Sequence, residues 1–173
     1  MRRAAAAAGF TIIELMVVVA IVAVLAAIGL PSMRDLVKTN RMKTLSLDIY
    51  GSLALARSEA IKRNSASVSM VAAAGGWQGG WTVTCVDTAG SCGGTDVVLI
   101  SQEPVDSNLT LTGPAGDIVT FGRDGRLTTP SASFQITVGA DHPSIAMRCV
   151  DVSVSGRPNT RVDTNHTDSD GCN

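Results

Sequence analysis

The stretch GFTIIELMVVVAIVAVLAAIGLP, from Gly9 to Pro31, carries one charged residue, Glu14, in an otherwise apolar run. A helix from Phe10 to Leu30 rises about 30 Å, enough to cross the hydrocarbon core of a bilayer. An ionised carboxylate at the centre of such a helix costs roughly 3 kcal/mol or more, so this acid needs a partner or a privileged position. Thr11-Ile12-Ile13-Glu14 offers a local answer. It fits the capping box, in which the Thr hydroxyl and the Glu carboxylate satisfy free amides of the first helical turn. The helix dipole also favours an acid there.

Ahead of the run lie a small basic start, Met1-Arg2-Arg3, and the alanines Ala4 to Ala8. A general secretory signal would continue into an uninterrupted apolar core and end at a small-x-small site. Val24-Leu25-Ala26 provides such a site, but Glu14 would then sit inside the signal core. Gly9, Phe10, the acid four residues on and the apolar helix ending near Pro31 resemble the processing site of type IV pilins and type II secretion pseudopilins. That resemblance implies cleavage by a prepilin peptidase after Gly9, N-methylation of Phe10, and a role for Glu14 in guiding the helix into a growing filament. The alanine-rich leader departs from the polar or basic residues usual beside the Gly.

The chain has 173 residues and a formal net charge of −1, so bulk attraction to nucleic acid or to anionic lipid is excluded. Its cysteines, Cys85, Cys92, Cys149 and Cys172, are even in number and all follow the apolar run. Behind a membrane segment this pattern favours disulfides in an oxidising compartment, and the paired C-x-x-C spacing of a zinc site is missing. Three pairings are open. The sequential one, 85 with 92 and 149 with 172, leads because the first loop is short enough to staple a hairpin.

Beyond Pro31, where Gly29 and Pro31 predict a bend or break, the residues Leu45, Ile49, Leu53, Ala56 and Ala60 recur at helical spacing among charged ones. The helix is expected to end between Lys62 and Asn64. Then the period changes to short apolar or alternating runs. These are Val68 and Met70, Trp81 to Cys85, Val97 to Ile100, Leu109 and Leu111, Ile118 to Phe121, Phe134 to Val138, and Ile145 to Val154. Gly-, Pro-, Asp- and Ser-containing turns separate them, as between antiparallel strands. The expected fold is α+β: a long N-terminal helix packed on an antiparallel β-sheet head. The expected segments are a leader at 1–9, a transmembrane and assembly helix at 10–30, its amphipathic continuation at 31–64, and a β-rich head at 65–173 with a C-terminal loop, Ser155 to Arg161 included, closed by Cys149 and Cys172.

The stretches from Leu55 to Asn64, from Trp77 to Val83 and from Phe121 to Arg126 resemble the GspH/FimT group of minor pilins and pseudopilins. With the helix, the resemblance covers most of the chain. It implies a structural or initiating subunit of a type IV pilus or, alternatively, the minor pseudopilin H of a type II secretion system. The implied setting is an inner-membrane helix with a periplasmic head, and the implied partners are the prepilin peptidase, other pilins or pseudopilins, and membrane lipid before assembly. Trp77 and Trp81 read as sheet-face packing rather than a ligand platform. A membrane-anchored binding domain without a filament role is the remaining alternative.

In the FimT branch a G-R-x-R motif contacts DNA during transformation. Gly156 and Arg157 match it, whereas Asn159 stands where the second Arg is expected and Arg161 follows two residues late. Arg161, together with Arg148, Arg123 and Arg126 if they share a face, completes the candidate contact to double-stranded DNA. Asp151, Asp163, Asp168 and Asp170 outnumber the local arginines and oppose it. Asp163-x-Asn165 and Asp168-x-Asp170-Gly171 echo calcium-loop spacing without the closing Glu, so no metal and no cofactor is expected. Catalysis is not expected either: there is no phosphate loop or nucleophile elbow, and His142 and His166 lie in turn-like surroundings.

Overall fold

The computed structural model describes residues 9–64, 68–87, 90, 92–139, 145–164 and 171–172. It divides into two units, 1–37 and 38–173. The helix α1 (Ile12–Lys62) is the element they share.

In the first unit, every described residue from 9 to 29 is exposed, the apolar ones included. A soluble helix would bury one face, so this stretch lacks the partner that its composition demands. It is long and apolar enough to cross a membrane. The helix runs without interruption through Gly29 and Pro31, so the predicted break does not occur. Proline removes one donor and crowds one preceding carbonyl, a local penalty of about 3 kcal/mol. It falls within a helix of 51 residues.

In the second unit, Met42, Leu45, Ile49, Leu53, Ala56 and Ala60 recur every three or four positions and are all buried. Burying a side chain such as Ile49 or Leu53 contributes about 2 kcal/mol. At the C-terminal end, Asn64 takes φ of 49°, and its amide donates to the Ile61 carbonyl at 3.2 Å. Asn tolerates this left-handed position, which closes the helix.

The head contains two four-stranded antiparallel sheets where the sequence predicted one. The first has the order β3 (Val97–Gln102), β2 (Gly76–Cys85), β1 (Val68–Ala73), β5 (Ile118–Phe121). The second has the order β4 (Leu109–Thr112), β6 (Ala132–Val138), β7 (Arg148–Val152), β8 (Pro158–Val162). Strands β1 to β7 each overlap a predicted run, and β5 and β7 fall within one. β8 is a correction, because Pro158 to Val162 reads as loop in the sequence yet pairs along its length with β7. Its residues Asn159 to Val162 are all exposed, so as an edge strand it shows no alternating signature.

Polar side chains tie these layers together. Trp81, 1 % exposed, donates from its indole Nε1 to Ser52 Oγ on α1 at 3.0 Å. Trp77 donates to the Pro114 carbonyl at 3.2 Å and meets Phe134 edge-on at 4.8 Å. Gln78 on β2 bridges the sheets: its Nε2 donates to the Leu109 carbonyl at 3.0 Å, and its Oε1 accepts from the Leu111 amide at 2.8 Å. Arg41 on α1 pairs with Asp106 in the loop before β4. Disulfides join Cys85 to Cys92 and Cys149 to Cys172, which is the sequential pairing.

Candidate functional site

Two regions hold the residues singled out by sequence. The first is the start of α1. The Glu14 carboxylate oxygen Oε2 accepts from the Thr11 amide at 3.0 Å and from the Thr11 hydroxyl at 3.0 Å. The Glu14 amide donates back to Thr11 Oγ1 at 3.2 Å, which completes a reciprocal capping box. Among the described residues Oε1 takes no bond, so one carboxylate oxygen faces outward from a capped helix end. Phe10, 80 % exposed, immediately precedes this cap, and Gly9 has open space around its α-carbon. The chemistry on offer is an anion at the tip of an exposed apolar helix. It can pair with a cation supplied by another molecule.

The second region is the turn between β7 and β8, where the sequence placed an arginine site. Arg157 is exposed in that turn and forms no ion pair among the described residues. Arg161 does not join it. Its Nε donates to Asp151 Oδ2 on β7 at 2.7 Å, across the diagonal from the Asp151–Asn159 pair. Arg148 lies opposite Val162, at the far end of β7 from the turn, and is half-buried. The four residues of the predicted DNA contact are therefore not brought together on one turn.

Gly156 has a packing role that the sequence did not reveal. It is buried with φ of 76°, and an added Cβ would overlap the Gly125 carbonyl oxygen. Gly125 sits in the turn between β5 and β6, also with positive φ, and its carbonyl accepts from Arg57 Nε on α1 at 3.1 Å. Ile61 on the same helix lies against Gly125, and the Leu127 amide donates to the Val154 carbonyl at 3.1 Å. Two glycines thus let the two turns stack at backbone distance, and the Ile61 and Arg57 side chains of α1 pack against Gly125. The sequence signal was present as turn glycines, but spacing alone does not say which turns meet.

One cluster of charges nearby is already paired. Glu59 takes Arg63 at 2.6 Å and Lys62 at 3.1 Å. Hydrogen bonds from Arg63 and then Lys62 hold its carboxyl below the usual range. Asp163 is buried at the end of β8, where its amide donates to the Met147 carbonyl at 2.9 Å. The remaining calcium-loop candidates Asn165, Asp168 and Asp170, and both histidines, lie outside the described residues.

Residues 46–156 match the family model described as type II transport protein GspH. The chain belongs to the GspH family. Residues 5–30 also match the prokaryotic N-terminal methylation motif, which spans Gly9, Phe10 and Glu14. This GspH-family chain resembles two crystal structures of the type IV minor pilin FimU from Pseudomonas aeruginosa strain PAO1. One is 22 % identical over 69 % of this chain and 91 % of that one, with a TM-score of 0.54. The other is 21 % identical over 78 % and 96 %, with a TM-score of 0.57. No curated protein matches the chain significantly. The α+β fold expected from sequence, a long N-terminal helix on an antiparallel β-sheet head, is the fold observed, and those two pilin structures share it. Within GspH coverage the matched stretch stops at Gly156, so Arg157 and Arg161 lie beyond it.

Proposed function

We propose that this protein is a minor pilin that enters a type IV filament through the Phe10 end of its helix after a prepilin peptidase removes residues 1–9. The observation that carries the reading is the first unit of α1, apolar and exposed along its described length, with one acid held at its capped start. Such a helix rests in the inner membrane until other pilin helices cover it, leaving the head in the periplasm. Removal of the leader exposes an ammonium on Phe10, and the outward Glu14 oxygen is the matching anion on a neighbouring subunit.

The test is the amino terminus of the mature protein by mass spectrometry. N-methyl-Phe10 supports the reading, and an intact leader or a terminus near Ala27 refutes it. Glu14→Ala should still be processed and membrane-inserted yet fail to enter filaments.

A second reading, a pseudopilin of a type II secretion system, is favoured by the description of the matching family model. Deletion followed by assays of twitching or pilus yield and of protein secretion separates the two. Contact with DNA is left out of this proposal, because Arg161 is engaged by Asp151 and Gly156 is accounted for by its packing on Gly125.

A further inference from the structure

The stacked turns leave an unusual set of side chains unspent. Arg123 and Arg126 in the β5–β6 turn and Arg157 in the β7–β8 turn are exposed and carry no ion pair among the described residues. A Cβ at Gly156 would come within 3.4 Å of the Arg126 α-carbon. One further chain step of about 3.8 Å places the α-carbons of Arg126 and Arg157 no more than about 9 Å apart. Beside them, Ile61 and Val154 are each 50 % exposed. Ile61 lies against Gly125, and Val154 occupies the same turn as Arg157.

We propose that this surface docks an acidic protein partner, one that presents carboxylates to the three arginines around a central aliphatic contact. Arginine forks pair bidentately with carboxylates, and arginine beside exposed aliphatic side chains is the composition of a protein interface. Nucleic-acid surfaces are far more uniformly cationic. Here the chain carries a net charge of −1, Asp124 lies between Arg123 and Arg126, and Arg161 is already neutralised. Three arginines release few counterions, too few to hold a polyphosphate at physiological salt. They are enough to fix the register of a protein contact whose apolar centre supplies the rest. This goes beyond the filament reading, which concerns the helix alone.

The test uses the full-length chain in its host cells with p-benzoyl-phenylalanine incorporated at Val154. Irradiation should yield a protein adduct whose mapped peptide contains Asp or Glu. Arg126→Glu with Arg157→Glu should lower the adduct at least tenfold, and changing the mapped acids to Lys should restore it. Arg126→Gln with Arg157→Gln, which removes charge without adding repulsion, should give a smaller loss at unchanged thermal stability. No adduct, an adduct indifferent to charge reversal, or adducts confined to nucleic acid or lipid would overturn the proposal. So would tight binding of a 20-base-pair duplex by the detergent-solubilised chain that is lost in the Gln variant. A correctly processed Phe10 terminus alongside any of these results would leave the filament reading standing.

Discussion

Gly156→Ala should be among the most damaging single-methyl changes in the head. Its backbone φ of 76° lies in the left-handed region, where a Cβ costs about 1–2 kcal/mol. The new methyl would overlap the Gly125 carbonyl oxygen, a backbone atom that cannot swing aside. Relieving that overlap moves the β5–β6 turn, an overpacking cost of about 1–3 kcal/mol. The same oxygen accepts from Arg57, so the displacement also strains the tie to α1. The sum is about 2–5 kcal/mol, or roughly 4–20 °C in Tm for a unit of this size. Thermal unfolding of the full chain in detergent, followed by circular dichroism, reads it directly. Arg157→Gln, one residue away and exposed, is the control and should change stability by about 0.5 kcal/mol or less. If Gly156→Ala shifted stability by no more than that control, the glycine would not be there for packing, and its place beside Arg157 would need a ligand to explain it.

Gln78→Ala should cost about 1–3 kcal/mol, because it strands the Leu109 carbonyl and the Leu111 amide, and amide exchange at Leu111 should accelerate. Asp106 gives a pH signature: its carboxyl is held below the ordinary range first by the Asn108 amide, then by the Asn108 side chain, with Arg41 adding to the effect. A lowered carboxyl pKa stabilises the fold above the unfolded value near pH 4, and that stability is lost as pH falls through the lower folded value. Asp106→Asn should therefore flatten the fall in Tm below about pH 4 while lowering Tm at neutral pH. Asp48 works in the opposite sense, since burial raises its carboxyl. Paired Cys→Ser variants should rank the disulfides: losing Cys149–Cys172, which spans 23 residues, should cost more in urea unfolding than losing Cys85–Cys92, which spans 7. In the chain-entropy model the values are about 3.5 and about 2.5 kcal/mol.

The features legible in the sequence were those with a local cause. Thr11 and Glu14 sit three apart, and one helical turn brings their polar groups together. The stripe from Leu45 to Ala60 and strands β1 to β7 followed from apolar spacing, which burial enforces. What escaped was set by register and by contacts distant in sequence. β8 has exposed polar residues and owes its strand form to β7. The pairing of Arg161 with Asp151 depends on which residues of those two strands stand opposite each other. Gly125 and Gly156 were visible as turn residues, but their contact spans 31 positions and has no periodic trace. Gln78 carried no signal of its own in the sequence, and only the second sheet gave its amide a partner.

Gln78 also bears on solubility. Its side-chain amide occupies the outer edge of β4 much as a neighbouring strand would, so that edge offers no open ladder to another chain. The other borders are blunted by different means. β5 is met by Leu127 and Thr128, β8 begins with Pro158, and β3 is broken by a bulge. Under the filament reading proposed above, a subunit that polymerises through one apolar helix must be unable to polymerise through its sheets. Otherwise ordered filaments would compete with amyloid-like stacking of the heads. One glutamine, placed where the two sheets meet, helps keep those two kinds of assembly apart.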